Sequence, residues 1–144
     1  MVALQAPTTV HPAPARHAVP RGMMSFALTA APLAWLFQTV VNMAVARHAC
    51  FPKDMPLQAP AFGYASNLIA VVIGAAIVIA LAGLAFSVFA WSRTRREALG
   101  DGHKLVEIGE GRTRFLAMCA MIVSVGFCVA IGFSLAGLLI VPMC

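Results

Sequence analysis

Four side chains with soft or borderline donor atoms, His48, Cys50, Met143 and Cys144, are the groups in this chain best suited to chemistry. Two uses compete for them. A disulfide between Cys50 and Cys144 would close a loop of about 95 residues and constrain the unfolded chain by a nominal 4 to 5 kcal/mol, less where a membrane already confines the helices. Alternatively, thiolate and thioether together favour Cu(I), with His48 as a further ligand. The His-x-Cys spacing matches no strong metal motif, and the two uses exclude each other at any moment because they share both sulfurs. The second group is a pair of amides, Gln38 and Asn42, which with Trp35 occupy one face of a helix at spacings i, i+3 and i+7. Their expected work is hydrogen bonding to a neighbouring helix, at about 0.6 to 2 kcal/mol per bond. A docking face for a larger membrane protein, or a polar lining beside a quinone or proton path, is the sharper reading.

The elements that must position these groups are three apolar runs, Phe26 to Val45, Leu68 to Trp91 and Phe115 to Val141. None contains Asp, Glu, Lys or Arg, and each is long enough to cross a hydrocarbon core of ~30 Å as a helix. Hydrophobic residues make up 61% of the 144 and charged residues 10%, well below the roughly 25% charge of soluble domains. The fold class expected is therefore all-α, an integral membrane bundle of three transmembrane helices. The divisions are a Pro-rich tail over 1–24, a first helix over 25–46, an outer loop over 47–65, a second helix over 66–92, an inner loop over 93–112, and a third helix with an outer C-terminus over 113–144.

Charge orients the bundle. Arg16, Arg21, Arg93, Arg95, Arg96, Lys104, Arg112 and Arg114 fall on the side of the tail and the second loop, against Arg47 and Lys53 on the other. The positive-inside rule then places the N-terminus in the cytoplasm and the C-terminus outside, in the periplasm if the cell is bacterial. The net charge of +5 is read as this topology signal and as contact with anionic headgroups, not as affinity for nucleic acid. Prolines 7, 12, 14 and 20 make the tail unsuited to a packed element, and we expect it to be mobile. Ala44-Val45-Ala46 imitates a signal-peptidase site, but the preceding run is longer than a signal core and contains Gln38 and Asn42.

Small residues carry the packing signals. In the second run, Ala70/Gly74, Ala76/Ala80 and Gly83/Ser87 are i,i+4 pairs that let backbones approach, with Tyr64 and Trp91 as interfacial anchors. In the third, Ala120, Ser124, Cys128, Gly132 and Ala136 recur every four residues and predict a ridge against a neighbouring helix. Cys128 is then a packing residue, and Cys119 lies about half a revolution away from it. Pro32 should loosen the first helix, and Pro142 should stop the third, whose ~40 Å length implies tilt or a protruding end.

In the second loop, Gly100-Asp101-Gly102 and Gly109-Glu110-Gly111 lack the lysine and the strand of a phosphate cradle, His103 reads as solvated, and Lys104 to Ile108 suits a short helical turn. No carboxylate pair or nucleophile set is present, so the chain is read as non-catalytic and without a cofactor. The outer loop, with Phe51-Pro52, Met55-Pro56 and Pro60, is apolar enough to lie against headgroups or against a partner.

Pro32-Leu33-Ala34-Trp35, Gln38, Cys50, Trp91, Arg112-x-Arg114-Phe115-Leu116-Ala117, Ser124, Phe127 and Pro142-Met143-Cys144 together resemble a group of small, largely uncharacterised bacterial membrane proteins encoded beside haem-copper cytochrome c oxidase subunits. That group commonly ends in Pro-Cys, where this chain has an intervening Met, and tends to carry an aromatic residue near the position of Asn42. The resemblance implies an accessory or assembly role in a respiratory oxidase of the bacterial inner membrane, in contact with lipid and a larger integral complex. Two alternatives stay open. One is a small oligomeric transporter or channel whose copies enclose a path lined by Gln38, Asn42, Ser87 and Ser124. The other is an outer-face protein handling thiols or copper.

Overall fold

The computed structural model describes residues 19–94, 112–142 and 144. The expectations for most of the tail, for the inner loop with His103 and its glycines, and for Met143 fall outside these residues. Among these residues three helices make up the body, α1 (Arg21–Cys50), α2 (Ala65–Thr94) and α3 (Arg112–Ile140), with one 3₁₀ turn at Pro52–Asp54. All three are long and apolar enough to cross a membrane, and no strand occurs among the described residues. The protein is an all-α, three-helix membrane bundle.

Each helix outruns its apolar segment. The 30 residues of α1 span about 45 Å at the usual rise of 1.5 Å, so Arg21 at one end and Arg47 and His48 at the other extend past a ~30 Å core. Arg47 and His48 sit in the last turn, where a positive charge complements the helix dipole. Pro52 ends α1, because the residue before a proline is driven out of helical geometry; Phe51 has φ −129° and ψ 54°. The tail requires a correction. Helix begins at Arg21 rather than after residue 24, and Val19 is only 3% exposed, packed with Ala90, Ala117, Met23, Met24 and Trp91 across the end of the bundle. An apolar side chain beside three helix ends gains more from burial there than from water.

Contacts between named residues give the topology. Ala27 meets Ser124, Gln38 meets Ser134, and Cys50 meets Cys144, so α1 and α3 run parallel. Ala27 meets Ser87 whereas Ala30 lies against Gly83, so α2 runs antiparallel to α1.

The buried face of α2, Ala65, Ile69, Ile73, Ala76, Ala80, Gly83, Ser87, Ala90 and Thr94, advances from Ile69 onward by alternating steps of four and three, after a first step of four. That is a 3.5-residue period, the seam of a left-handed coiled crossing, here lined mostly by small residues so that backbones come close. On α3 the same rhythm selects Ala117, Ala120, Ser124 and Ile131 as buried, with Phe127, Cys128, Leu135 and Leu138 packed beside them.

This corrects the ridge expected at strict intervals of four. Each four-residue step turns about 40° around an α-helix, so a ridge of five positions rotates by about 160°. Ala120 and Ser124 are buried and Cys128 and Ala136 half-buried, but Gly132 is exposed, with open space where a Cβ would stand. Ala70 and Gly74 likewise face outward, while Ala76/Ala80 and Gly83/Ser87 face inward.

The body is apolar outside and partly polar inside. Of its largest fully buried side chains, Ile73 and Ile131 are aliphatic, whereas Gln38, Thr94, Ser87 and Ser124 are polar. The outer surface carries Leu33, Phe37, Val40, Met43, Val71, Val78, Ile122, Phe133 and Leu139, all exposed. An apolar surface this continuous is stable only in lipid or against another apolar body.

Candidate functional site

Polar and sulfur groups gather at three levels along the α1/α3 contact. At the first level, the hydroxyls of Ser87 on α2 and Ser124 on α3 both donate to the carbonyl oxygen of Ala27 on α1, at 3.4 and 3.3 Å. Ser87 also reaches the Gly83 carbonyl at 2.8 Å. The convergence depends on Gly83: a Cβ there would stand 3.2 Å from the Ala30 Cβ, 3.7 Å from the Ala31 nitrogen and 3.8 Å from the Ser124 Oγ. Absence of a side chain at this position lets three helices meet around one carbonyl. Phe26 and Phe86, with ring centroids 5.5 Å apart and nearly perpendicular, close the same level on the outside.

At the second level, Gln38 is 1% exposed and its Nε2 donates to Ser134 Oγ on α3 at 3.1 Å and, more weakly, to Thr39 Oγ1 at 3.4 Å. Ser134 and Thr39 pass their own protons to the carbonyls of Ala130 and Trp35. The expectation that both amides bond across helices holds for Gln38 only. Asn42 donates from Nδ2 to Gln38 Oε1 at 3.2 Å, within its own helix, and its enclosed Oδ1 has no partner among the described residues. Trp35, on the same face, stacks at a tilt on Phe127 with ring centroids 5.4 Å apart.

At the third level, the sulfurs of Cys50 and Cys144 lie at disulfide distance, 2.04 Å, with Cα atoms 5.5 Å apart. The loop after α1 folds back onto the same helix end. Leu57 N–H donates to the Cys50 carbonyl and Ala61 N–H to the Ala49 carbonyl, both at 2.8 Å, which satisfies two carbonyls that a helix terminus leaves without partners.

Of the four soft-ligand candidates, the structure brings together Cys50 and Cys144, and the bond between them occupies the sulfurs that a Cu(I) site needs. His48 is exposed on the last turn of α1. Among the described residues no group of three or more His, Cys, Asp or Glu side chains could hold a metal. Of the proposed path lining, Gln38, Ser87 and Ser124 are buried inside a single chain, in two separate clusters.

Sequence reasoning missed Ser134 and the Ala27 carbonyl as partners. Both depend on helix register, which becomes readable only when the 3.5-residue seam of α2 is traced first. Chemically, amides and hydroxyls with no titratable neighbour can donate and accept hydrogen bonds and little else, and the sulfur pair can exchange with thiols. Comparison with protein-family models, curated proteins and solved structures finds no match to this chain.

Proposed function

We propose that this chain is a small non-catalytic membrane subunit that docks onto, or assists the assembly of, a respiratory complex of the cytochrome oxidase type. One observation carries the reading. The buried polar side chains among the described residues, Gln38, Ser87, Thr94 and Ser124, are all hydrogen-bonded within the chain, while the outward surface is apolar. Such a body offers shape to a partner and keeps these four polar groups to itself, with the enclosed Asn42 Oδ1 as the exception. The resemblance to small proteins encoded beside oxidase subunits supports the choice of complex.

In this reading the N-terminus is cytoplasmic and the C-terminus lies outside the inner membrane of a bacterium. Two independent signals support that orientation. Basic residues gather at the tail and second loop, and the sulfur pair sits at the opposite end, where an oxidising periplasm would keep it bonded. The oligomeric channel has less support, because Gln38, Ser87 and Ser124 of its polar lining are already engaged inside one chain.

Purification of the tagged protein from native membranes in mild detergent, with a reduced-minus-oxidised visible spectrum, tests the proposal. Oxidase subunits in fixed ratio with a haem spectrum are expected. A haem-free, self-associated species would overturn the reading and favour the oligomeric channel.

A further inference from the structure

The loop between α1 and α2 presents a different surface from the helices, and its backbone explains what covers it. Between Phe51 and Ala61, Pro52, Pro56 and Pro60 have no N–H. Phe51, Met55, Leu57 and Ala61 donate theirs to the carbonyls of Arg47, Pro52, Cys50 and Ala49. At most Lys53, Asp54, Gln58 and Ala59 keep a backbone donor for water. Three prolines and four bonded N–H groups reduce the backbone donors that need water between 51 and 61, which suits the partly hydrated boundary of a membrane.

Its side chains match that backbone. Phe51, Met55, Leu57 and Tyr64 are exposed, Met55 to 68%, and Phe62 stacks on Tyr64 with ring centroids 5.0 Å apart. Val40 and Met43 on α1 and Leu68 and Val71 on α2, the helices that the loop joins, are exposed apolar side chains as well. Tyrosine and lysine are the residue types that settle at the boundary of lipid and water, one through an amphipathic ring and the other by reaching a phosphate. Lys53 is exposed and stands at φ 56°, a left-handed turn that returns the chain across the helix end. The loop is tied to that end by its two bonds to the α1 carbonyls and by the neighbouring sulfur pair at Cys50.

We infer that the 51–64 loop is an interfacial plate seated in the boundary between headgroups and acyl chains of one leaflet. Phe51, Met55, Leu57 and Tyr64 enter the lipid, and Lys53 pairs with a phospholipid phosphate. The plate fixes the depth of α1 and α2 and keeps the α1–α3 sulfur pair at the membrane surface.

The test uses the full chain with Trp35→Phe and Trp91→Phe, carrying Met55→Trp or Tyr64→Trp as a single reporter. The protein is reconstituted in vesicles of phosphatidylcholine and phosphatidylglycerol, with or without bromine on the upper acyl chain. Both reporters replace exposed side chains, and intact mass with thiols blocked and no reductant verifies the Cys50–Cys144 bond. Bromolipid should lower emission about twofold at both positions, with little quenching by aqueous iodide. Iodide quenching without bromolipid quenching would place the loop in water and overturn the inference. Protection from both quenchers would also overturn it, by showing that a second copy of the chain covers the loop.

Discussion

Replacing Gly83 measures how closely the three helices meet. A Cβ at this position stands 3.2 Å from the Ala30 Cβ, inside the ~3.5 to 4.0 Å of an ordinary carbon contact, so α1 must retreat by a few tenths of an ångström. For Gly83→Ala the overpacking cost, about 1 kcal/mol, is offset by a similar gain in helix propensity, and stability should hardly change. Gly83→Leu adds three further carbons with no room to place them. Overpacking of about 3 kcal/mol combines with loss of the two serine bonds to Ala27, about 0.6 kcal/mol each, for a total near 4 kcal/mol. Gly74→Leu is the control, because open space surrounds that position and the substitution only enlarges the lipid-facing surface. The unbonded thiols Cys119 and Cys128, both half-buried, serve as reporters in a thermal assay with a thiol-reactive dye. Gly83→Leu should lower the midpoint by roughly 10 °C or more relative to the other two variants. Equal midpoints for Gly83→Leu and Gly74→Leu would refute the close crossing of α1, α2 and α3.

Further outcomes follow from the other two levels. A double-mutant cycle of Gln38→Ala and Ser134→Ala, read by the same thermal assay, should show a coupling of about 0.6 to 2 kcal/mol; a coupling of zero would remove the α1–α3 hydrogen bond. Asn42→Leu should cost about 1 kcal/mol or less, because removing an enclosed oxygen without a partner offsets the loss of the donor to the buried Gln38 Oε1; a loss as large as that of Gln38→Ala would show that Oδ1 is bonded. Cys50→Ser with Cys144→Ser should cost about 1 to 4 kcal/mol and lower protein abundance, the signature of a structural bridge. Normal abundance with lost copper binding or oxidase maturation would support metal handling instead. A cysteine introduced in residues 95–111 should react with a membrane-impermeant maleimide only after intact cells are opened; labelling of intact cells would invert the topology.

Much of the fold was legible because hydrocarbon imposes a simple rule: a charge-free run of sufficient length must be a helix with its backbone bonded internally. The Cys50–Cys144 pairing was legible for the same reason, since two parallel spans of similar length bring residues just beyond their ends to one surface. Interior detail was less so. A ridge at intervals of four looks continuous on paper but winds around the helix, and only the alternation of threes and fours on α2 reveals which residues stay in the seam. Ser134 escaped notice because choosing a partner for Gln38 requires the register of α3, and no local pattern fixes that. The folded-back loop was hidden too, because Leu57 and Ala61 bond helix-end carbonyls and carry no side-chain signature of doing so.

Docking onto a larger membrane protein is the central claim, and photo-crosslinking from outward positions tests it most directly. Photoreactive residues at Val71, Ile122 and Phe133, each exposed on the apolar surface, would be activated in native membranes and the adducts identified by mass spectrometry. The account predicts that at least one position yields a discrete adduct with an integral subunit of a haem-copper oxidase. Adducts with lipid or with further copies of this chain at every position would contradict it.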